Sequence, residues 1–148
     1  MSSFKGTFQY TIDSKDRLNI PSKFRKLLPS EDNKTFVVCR GSDGCLDVFP
    51  QHEWELREAQ MRALAWTKKD NRKVLRALLL NAAESQYDAQ GRIAIPPQLQ
   101  KLANLEKDVM IIGMLDHIEL WNPDIYEQYN KIADTEPYEV LLERIALP

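Results

Sequence analysis

A stretch that occurs twice constrains this chain more than any other feature in it. The first copy runs Asp13-Ser14-Lys15-Asp16-Arg17-Leu18-Asn19-Ile20-Pro21, and the second runs Asp88-Ala89-Gln90-Gly91-Arg92-Ile93-Ala94-Ile95-Pro96, each matched position 75 residues later. An aromatic precedes each copy (Tyr10, Tyr87) at slightly different distances, and an apolar pair follows at the same offset, Phe24/Leu27 and Leu99/Leu102. A unit repeated at fixed spacing predicts two copies of one supersecondary element, which could bury their apolar faces together.

The chemistry of the stretch is local. An Asp at its head, Asp13 or Asp88, can accept bonds from backbone amides two or three residues on and close a tight turn. Gly91 supplies the permissive backbone such a turn needs, and Asp16, at the matching place, is among the non-glycine residues that best tolerate a left-handed conformation. Asp13, Asp16, Asp88 and Gly91 are therefore read as turn-structuring. Arg17 or Arg92 leaves the turn at a fixed angle. Leu18 and Ile20, or Ile93 and Ile95, alternate like a half-buried strand. Proline then ends the strand and opens a short helix, where its missing amide is tolerated.

The remaining elements follow the same order in each half. Phe4–Ile12 alternates as a first strand, and Ser22–Leu28 reads as a short helix with Phe24, Leu27 and Leu28 inward. Thr35–Arg40 and Cys45–Phe49 read as a hairpin. Pro50 opens a helix carrying Trp54, Met61 and Leu64. A second helix near Asp70–Leu80 has Val74, Leu75, Leu78 and Leu79 on one face and Arg72 and Arg76 on another. The second half offers strands at Glu84–Tyr87, Ile93–Ile95, Val109–Met114 and Ile118–Trp121, a helix opened by Pro96/Pro97, and a capped helix start at Asn122-Pro123. From the return strand of the hairpin onward the offset falls to 72 (Leu46/Ile118, Phe49/Trp121, Trp54/Tyr126), which places three extra residues in the loop before the first hairpin. The tail from Tyr126 to Leu147 reads as two helical pieces broken near Asp134–Pro137. Its stripes, Tyr126/Tyr129/Ile132 and Val140/Leu141/Ile145, suit either core packing or a subunit contact. The divisions are 4–54 (first repeat), 55–83 (connecting helices), 84–127 (second repeat) and 128–148 (tail).

Charge is uneven along the chain. Residues 1–40 carry eight basic groups against four acids, residues 62–83 six against one, and residues 84–148 five against twelve. Two basic zones beside an acidic half suit a face for a polyanion, although the net charge is only −2. The alternative is ordinary variation along a solvated surface.

Several function classes are disfavoured. No apolar run nears the ~20 residues of a membrane span. The start Met1-Ser2-Ser3-Phe4-Lys5 lacks the apolar core of a signal peptide, so the expected compartment is the cytoplasm. Cys39 and Cys45, with only His52 and His117 as other soft ligands, make a poor zinc set, and reduced packing cysteines fit better than a disulfide. With no glycine-rich phosphate loop, metal set or nucleophile–base pair, neither an enzyme nor a cofactor, metal or small-molecule substrate is expected. About four short strands per repeat leave open edges, which favours pairing between repeats and self-association.

These residues resemble the MraZ family, a branch of the AbrB/SpoVT superfamily. The resemblance rests on Asp13-Ser14-Lys15-x-Arg17-x-x-x-Pro21, Lys23-Phe24-Arg25, Phe49-Pro50 with Trp54, and Arg72 and Arg76 before Asn81-Ala82-Ala83. It also rests on Asp88-x-x-Gly91-Arg92-Ile93-x-Ile95-Pro96, Gly113 and Ile118-Glu119-Leu120-Trp121. It implies an α+β, β-rich fold of two tandem AbrB-like repeats (a swapped-hairpin, double-split β-barrel) related by pseudo-twofold symmetry. It further implies a ring-shaped homo-oligomer, nucleoid-associated, that binds direct repeats in double-stranded promoter DNA of the division and cell-wall gene cluster, its own gene included. Carried onto this chain, it places Lys15 and Arg17 at the DNA, with Lys5, Lys23 and Arg25 nearby and Arg92 as the match in the second repeat. Asp16 departs from the family glycine, and the tail is rather long and acidic.

An arginine held on such a turn could reach a guanine edge, and a ring could engage several repeats at once. For Arg17 the competing reading is an intramolecular pair with Asp13 or Asp16. For the whole chain it is an oligomeric protein-binding scaffold, or an antitoxin-like partner without specific DNA binding.

Overall fold

The two copies interleave rather than sit side by side. A computed structural model describes residues 3–133 and 135–145. The first repeat supplies β1 (Thr7–Thr11), β2 (Arg17–Asn19), α1 (Ser22–Arg25), β3 (Thr35–Arg40) and β4 (Leu46–Pro50). The connecting helices are α2 (Gln51–Arg62) and α3 (Lys69–Leu79). The second repeat supplies β5 (Ala83–Gln86), β6 (Arg92–Ala94), α4 (Pro97–Leu102), β7 (Asp108–Gly113) and β8 (Ile118–Trp121), followed by α5 (Pro123–Ala133) and α6 (Tyr138–Arg144).

Six strands form one sheet in the order β1-β7-β8-β4-β3-β5, and β2 pairs with β6 in a two-stranded ribbon. Exchanging the repeats reverses the sheet order and leaves it unchanged, which is the signature of a pseudo-twofold axis. Each repeat lends its first strand to the other's hairpin: β1 lies on β7, and β5 on β3. The fold is thus α+β and β-rich with swapped elements, as expected. Among the described residues the edge strands β1 and β5 do not pair with each other. Packing of the ribbon on the sheet, rather than a continuous ladder, completes the enclosure.

The reason is one shared core. Leu18, Ile20, Ile93 and Ile95 face Phe36, Val38, Leu46, Val48, Val109, Ile111, Ile118 and Leu120, with Phe24 and Leu99 from the short helices beside them. Neither repeat alone could cover these faces, so burial drives the interleaving.

The register refines the loop-length expectation. Phe8↔Ile111 maps onto Ala83↔Val38, so β7 lies 73 residues beyond β3, and Ile111↔Leu120 against Val38↔Val48 restores 72. Two of the three extra residues therefore precede the first hairpin, and the third lies in the hairpin turn. Three element expectations also change. Gly6, at φ +99°, interrupts the first strand, so Phe4 joins it only through a bridge to Leu115. The helix after Pro21 ends at Arg25. On α3 only Leu78 reaches the second cluster of Val37, Cys39, Phe49 and Trp54, while Val74 is 59% exposed; α2 already covers that outer face of the sheet. In the tail, Tyr126 and Tyr129 pack on Trp121 with ring centroids 5.1 and 5.4 Å away. Asp134, the Ile132 side chain and Ala146–Pro148 lie outside the described residues. No helix among those described is long and apolar enough to cross a membrane.

The longer loop has a structural use. Asn122 caps α5, its Oδ1 accepting from the amides of Asp124 and Ile125 at 2.9 and 3.2 Å. The matching residue before α2 is Pro50, whose side chain makes no cap bond. Asp32, buried in the loop, serves instead: its Oδ1 accepts from the His52 amide at 3.0 Å and its Oδ2 lies 2.5 Å from His52 Nδ1. Asp32→Ala removes this cap and leaves the helix end unsatisfied. The expected loss is about 1–3 kcal/mol in urea unfolding; an unchanged midpoint would show that water replaces the cap.

Candidate nucleic-acid interface

Both signature turns are built alike. Asp13 Oδ1 accepts from the amides of Lys15 and Arg17, each at 2.9 Å, and its Oδ2 accepts from Arg17 Nε at 2.8 Å. Asp88 Oδ1 accepts from the amides of Gln90 and Arg92 at 2.9 and 3.0 Å, and its Oδ2 from Arg92 Nε at 2.9 Å. These bonds, led by the backbone amide of the arginine, hold both carboxyls below the usual range. Ionised, each aspartate fixes turn and guanidinium together. The fourth turn residue is left-handed in both copies, Asp16 at φ +62° and Gly91 at φ +80°.

The ribbon sets the arginines side by side. Leu18 faces Ile93 at its centre and both are buried, while Arg17 faces Ala94 and Asn19 faces Arg92. Side chains alternate across a strand, so Arg17, Asn19, Arg92 and Ala94 share the outer face. Arg92 Nη1 lies 3.7 Å from Asp13 Oδ2, the carboxylate that already holds Arg17. Both arginines thus belong to one partly exposed patch, bracketed by the two turns.

Each turn leans on the helix of the other repeat. The Ile95 amide donates to Asp16 O at 2.8 Å, and the Ile20 amide to Gly91 O at 2.9 Å. Gln100 Nε2 donates to Asp16 Oδ1 at 3.0 Å and to Ile95 O at 2.8 Å. Arg25, 75 residues before Gln100, donates from Nε to Ile20 O at 2.9 Å and lies 5.7 Å over the Tyr87 ring. Its guanidinium Cζ, Nε and Nη1 fill the space a Cβ on Gly91 would need. Glycine with arginine at one turn therefore corresponds to aspartate with glutamine at the other. The departure at Asp16 is accommodated by a partner of suitable length.

The candidate residues separate accordingly. Lys15 is exposed on the first turn. Arg17 and Arg92 share the patch, 32% and 24% exposed. Lys23 is exposed on α1, beside the second turn rather than the first, because of the swap. Arg25 is half-buried against that second turn. Lys5 lies at the far end of β1 from the first turn, a separation of roughly 17 Å for five strand residues. The swap also redistributes charge: the basic α1 joins the turn from the acidic half. Gln90, Asn19 and Gln100 escaped the sequence reading; of these, the 75-residue match to Arg25 could have flagged Gln100.

Away from the patch, Cys39 and Cys45 are both free and buried, and burial pushes the Cys39 thiol up to about 12. On the outer face of the sheet, Cys45, Asp47 and Glu119 bring ligand atoms within 4.8 Å, the one such trio among the described residues. The Cys45 thiol donates to Ser42 O at 3.1 Å, and burial raises its pKa, so it stays protonated. The trio is read as a packed polar cluster. Burial pushes Asp47 up to about 6, against the pull of His117. A raised folded pKa means stability is lost as pH rises through about 6. Asp47→Asn is therefore expected to stabilise by about 1–2 kcal/mol at pH 8, and by less at pH 5. Chemical denaturation at both pH values checks this; a gain larger at pH 5 would reverse the sign.

A family model described as "MraZ protein, putative antitoxin-like" matches residues 3–77 and again 78–147, once for each repeat. Over 142 residues the chain is 41% identical to "Transcriptional regulator MraZ" of Natranaerobius thermophilus, covering 96% of each. A protein of the same name from Pediococcus pentosaceus is 43% identical over 133 residues, 90% of this chain and 89% of that one. A third, from Desulforamulus reducens, is 38% identical over 142 residues, 96% of each.

Proposed function

This chain belongs to the MraZ family, and on that premise we propose that it is a transcriptional regulator acting by sequence-specific binding of double-stranded DNA. The target is a set of direct repeats in the promoter of the division and cell-wall gene cluster, its own gene included. The observation that carries this reading is the outer face of the ribbon, where Arg17 and Arg92 stand together on turns fixed by ionised aspartates.

Such a patch suits the partner. Lys15 and Lys23 supply phosphate contacts that set affinity and register without reading sequence. An arginine on a stiff turn can meet a guanine edge with little ordering required on binding. The divisions proposed are repeats at 4–54 and 84–127, the connecting helices 55–83 and the tail 128–148; the first boundary falls within α2, the second one residue into β5 and the third within α5. Exposed apolar residues on or just beyond α3 and α6 (Val74 and Leu80, Tyr138 and Ile145) support assembly into a ring. They equally favour the second reading, a protein-binding scaffold.

The test is fluorescence anisotropy of a labelled duplex from upstream of the protein's own gene against scrambled duplex, over a salt series. Wild type is expected to prefer the promoter and to weaken with salt. Arg17→Ala is expected to lose tenfold or more, about 1–3 kcal/mol for one good base contact. Equal, weak binding of both duplexes, unchanged in the variant, would favour the scaffold.

A further inference from the structure

We infer that the two symmetry-related arginines have different roles: Arg17 reads a guanine, while Arg92 clamps the ribbon, so each subunit presents one base-reading arginine rather than two. This rests on the DNA-binding reading above and assigns the contacts within it.

The difference lies in how the two guanidinium groups are held. Arg92 is engaged at all three nitrogens: Nε by Asp88 Oδ2 at 2.9 Å, Nη2 by Gln90 Oε1 at 3.2 Å, and Nη1 beside Asp13 Oδ2 at 3.7 Å. Arg17 is held at Nε alone, by Asp13 Oδ2 at 2.8 Å. Among the described residues its two Nη groups have no hydrogen-bond or ion-pair partner. That leaves the end of the fork, two parallel donors, for the O6 and N7 acceptors of guanine. Two residues create the asymmetry. Lys15 holds the place that Gln90 takes in the second repeat, and a lysine cannot accept a hydrogen bond from its arginine. Asp13 also serves both arginines, whereas among the described residues Asp88 pairs only with Arg92. The polarity of the subunit follows. A pseudo-twofold unit with equal arginines would suit a palindrome, but one reader on one turn suits an asymmetric half-site repeated head to tail.

The experiment combines binding and melting. The promoter duplex is prepared with guanine or with 7-deazaguanine, which lacks the N7 acceptor, and is titrated with wild type, Arg17→Ala, Arg92→Ala and Gln90→Ala. Wild type is expected to lose about five- to tenfold on 7-deazaguanine. Arg17→Ala is expected to show no such penalty and an unchanged melting temperature. Arg92→Ala is expected to melt lower, yet keep the penalty in its folded fraction at low temperature. Gln90→Ala folds without loss and keeps it too. A penalty abolished by Arg92→Ala and retained by Arg17→Ala, or abolished by both, overturns the assignment while leaving DNA binding intact. Failure of wild type to prefer the promoter overturns the DNA reading itself, and the assignment with it.

Discussion

Phe24→Ala is expected to destabilise the whole chain by about 3–5 kcal/mol, a large share of the stability of a domain this size. Phe24 is fully buried and meets Phe4 and Phe8 edge-on, with ring centroids 5.3 and 5.2 Å away. It belongs to the cluster that also holds Ile93, Ile95, Val109 and Leu120 of the second repeat. A cavity there is therefore felt by both repeats. Urea unfolding followed by tryptophan fluorescence and by far-ultraviolet circular dichroism should shift as one cooperative transition. Trp54 and Trp121 report from α2 and β8, so the two halves are both observed. Two separated transitions, with only the first repeat weakened, would refute a single shared core.

Gly113→Ala is expected to cost about 2–4 kcal/mol, far more than its size suggests. A Cβ at Gly113 would stand 2.5 Å from the Lys5 amide nitrogen, 2.6 Å from Phe4 C and 2.8 Å from Lys5 Cα. These are backbone atoms and cannot swing aside. Relieving the contact means lifting the N-terminal segment, with the paired bonds between Phe4 and Leu115 at 2.8 and 2.9 Å and the bond from Gly113 N to Gly6 O at 2.8 Å. Phe4 would leave the core with it. Faster proteolysis and amide exchange at the N-terminal segment, with a lower unfolding midpoint, are the expected readouts. A useful control is Gly44→Ala: Gly44 has φ +95°, but a methyl group there would meet nothing within 4 Å, so only the backbone preference is lost. A Gly113 variant no worse than this control would mean that the segment shifts at no cost. In the first repeat Arg40 occupies the place of Gly113.

The turns were legible in the sequence because every bond that makes them runs within a few residues. Asp13 to Lys15 and Arg17, and Asp88 to Gln90 and Arg92, are contacts that spacing alone can propose. The expectation that Arg17 either pairs internally or serves DNA proves too sharp a division: its Nε is paired with Asp13, while its Nη groups have no partner among the described residues. The exchange of first strands between the repeats was implied by the family resemblance but not by the residues themselves. Alternation in β1 says which face is buried but not that its partner is β7, since a strand's edge carries no address in its own side chains. Sequence order places Arg25 on the first repeat's short helix, with nothing to tie it to Gly91. Its work against Gly91 depends on the other repeat folding over it.

The repeat, the turn chemistry and the family can all be read from the residues in order. Each depends on residue type at short spacing, and short-range geometry follows from covalent reach. The tertiary structure alone decided which repeat supports which turn, how the uneven charges are shared between the two turns, and which arginine keeps its fork available. Those outcomes depend on one core closed by both repeats. Burial of Leu18 against Ile93 at its centre brings together residues some 75 positions apart, and no local pattern records the choice of partner.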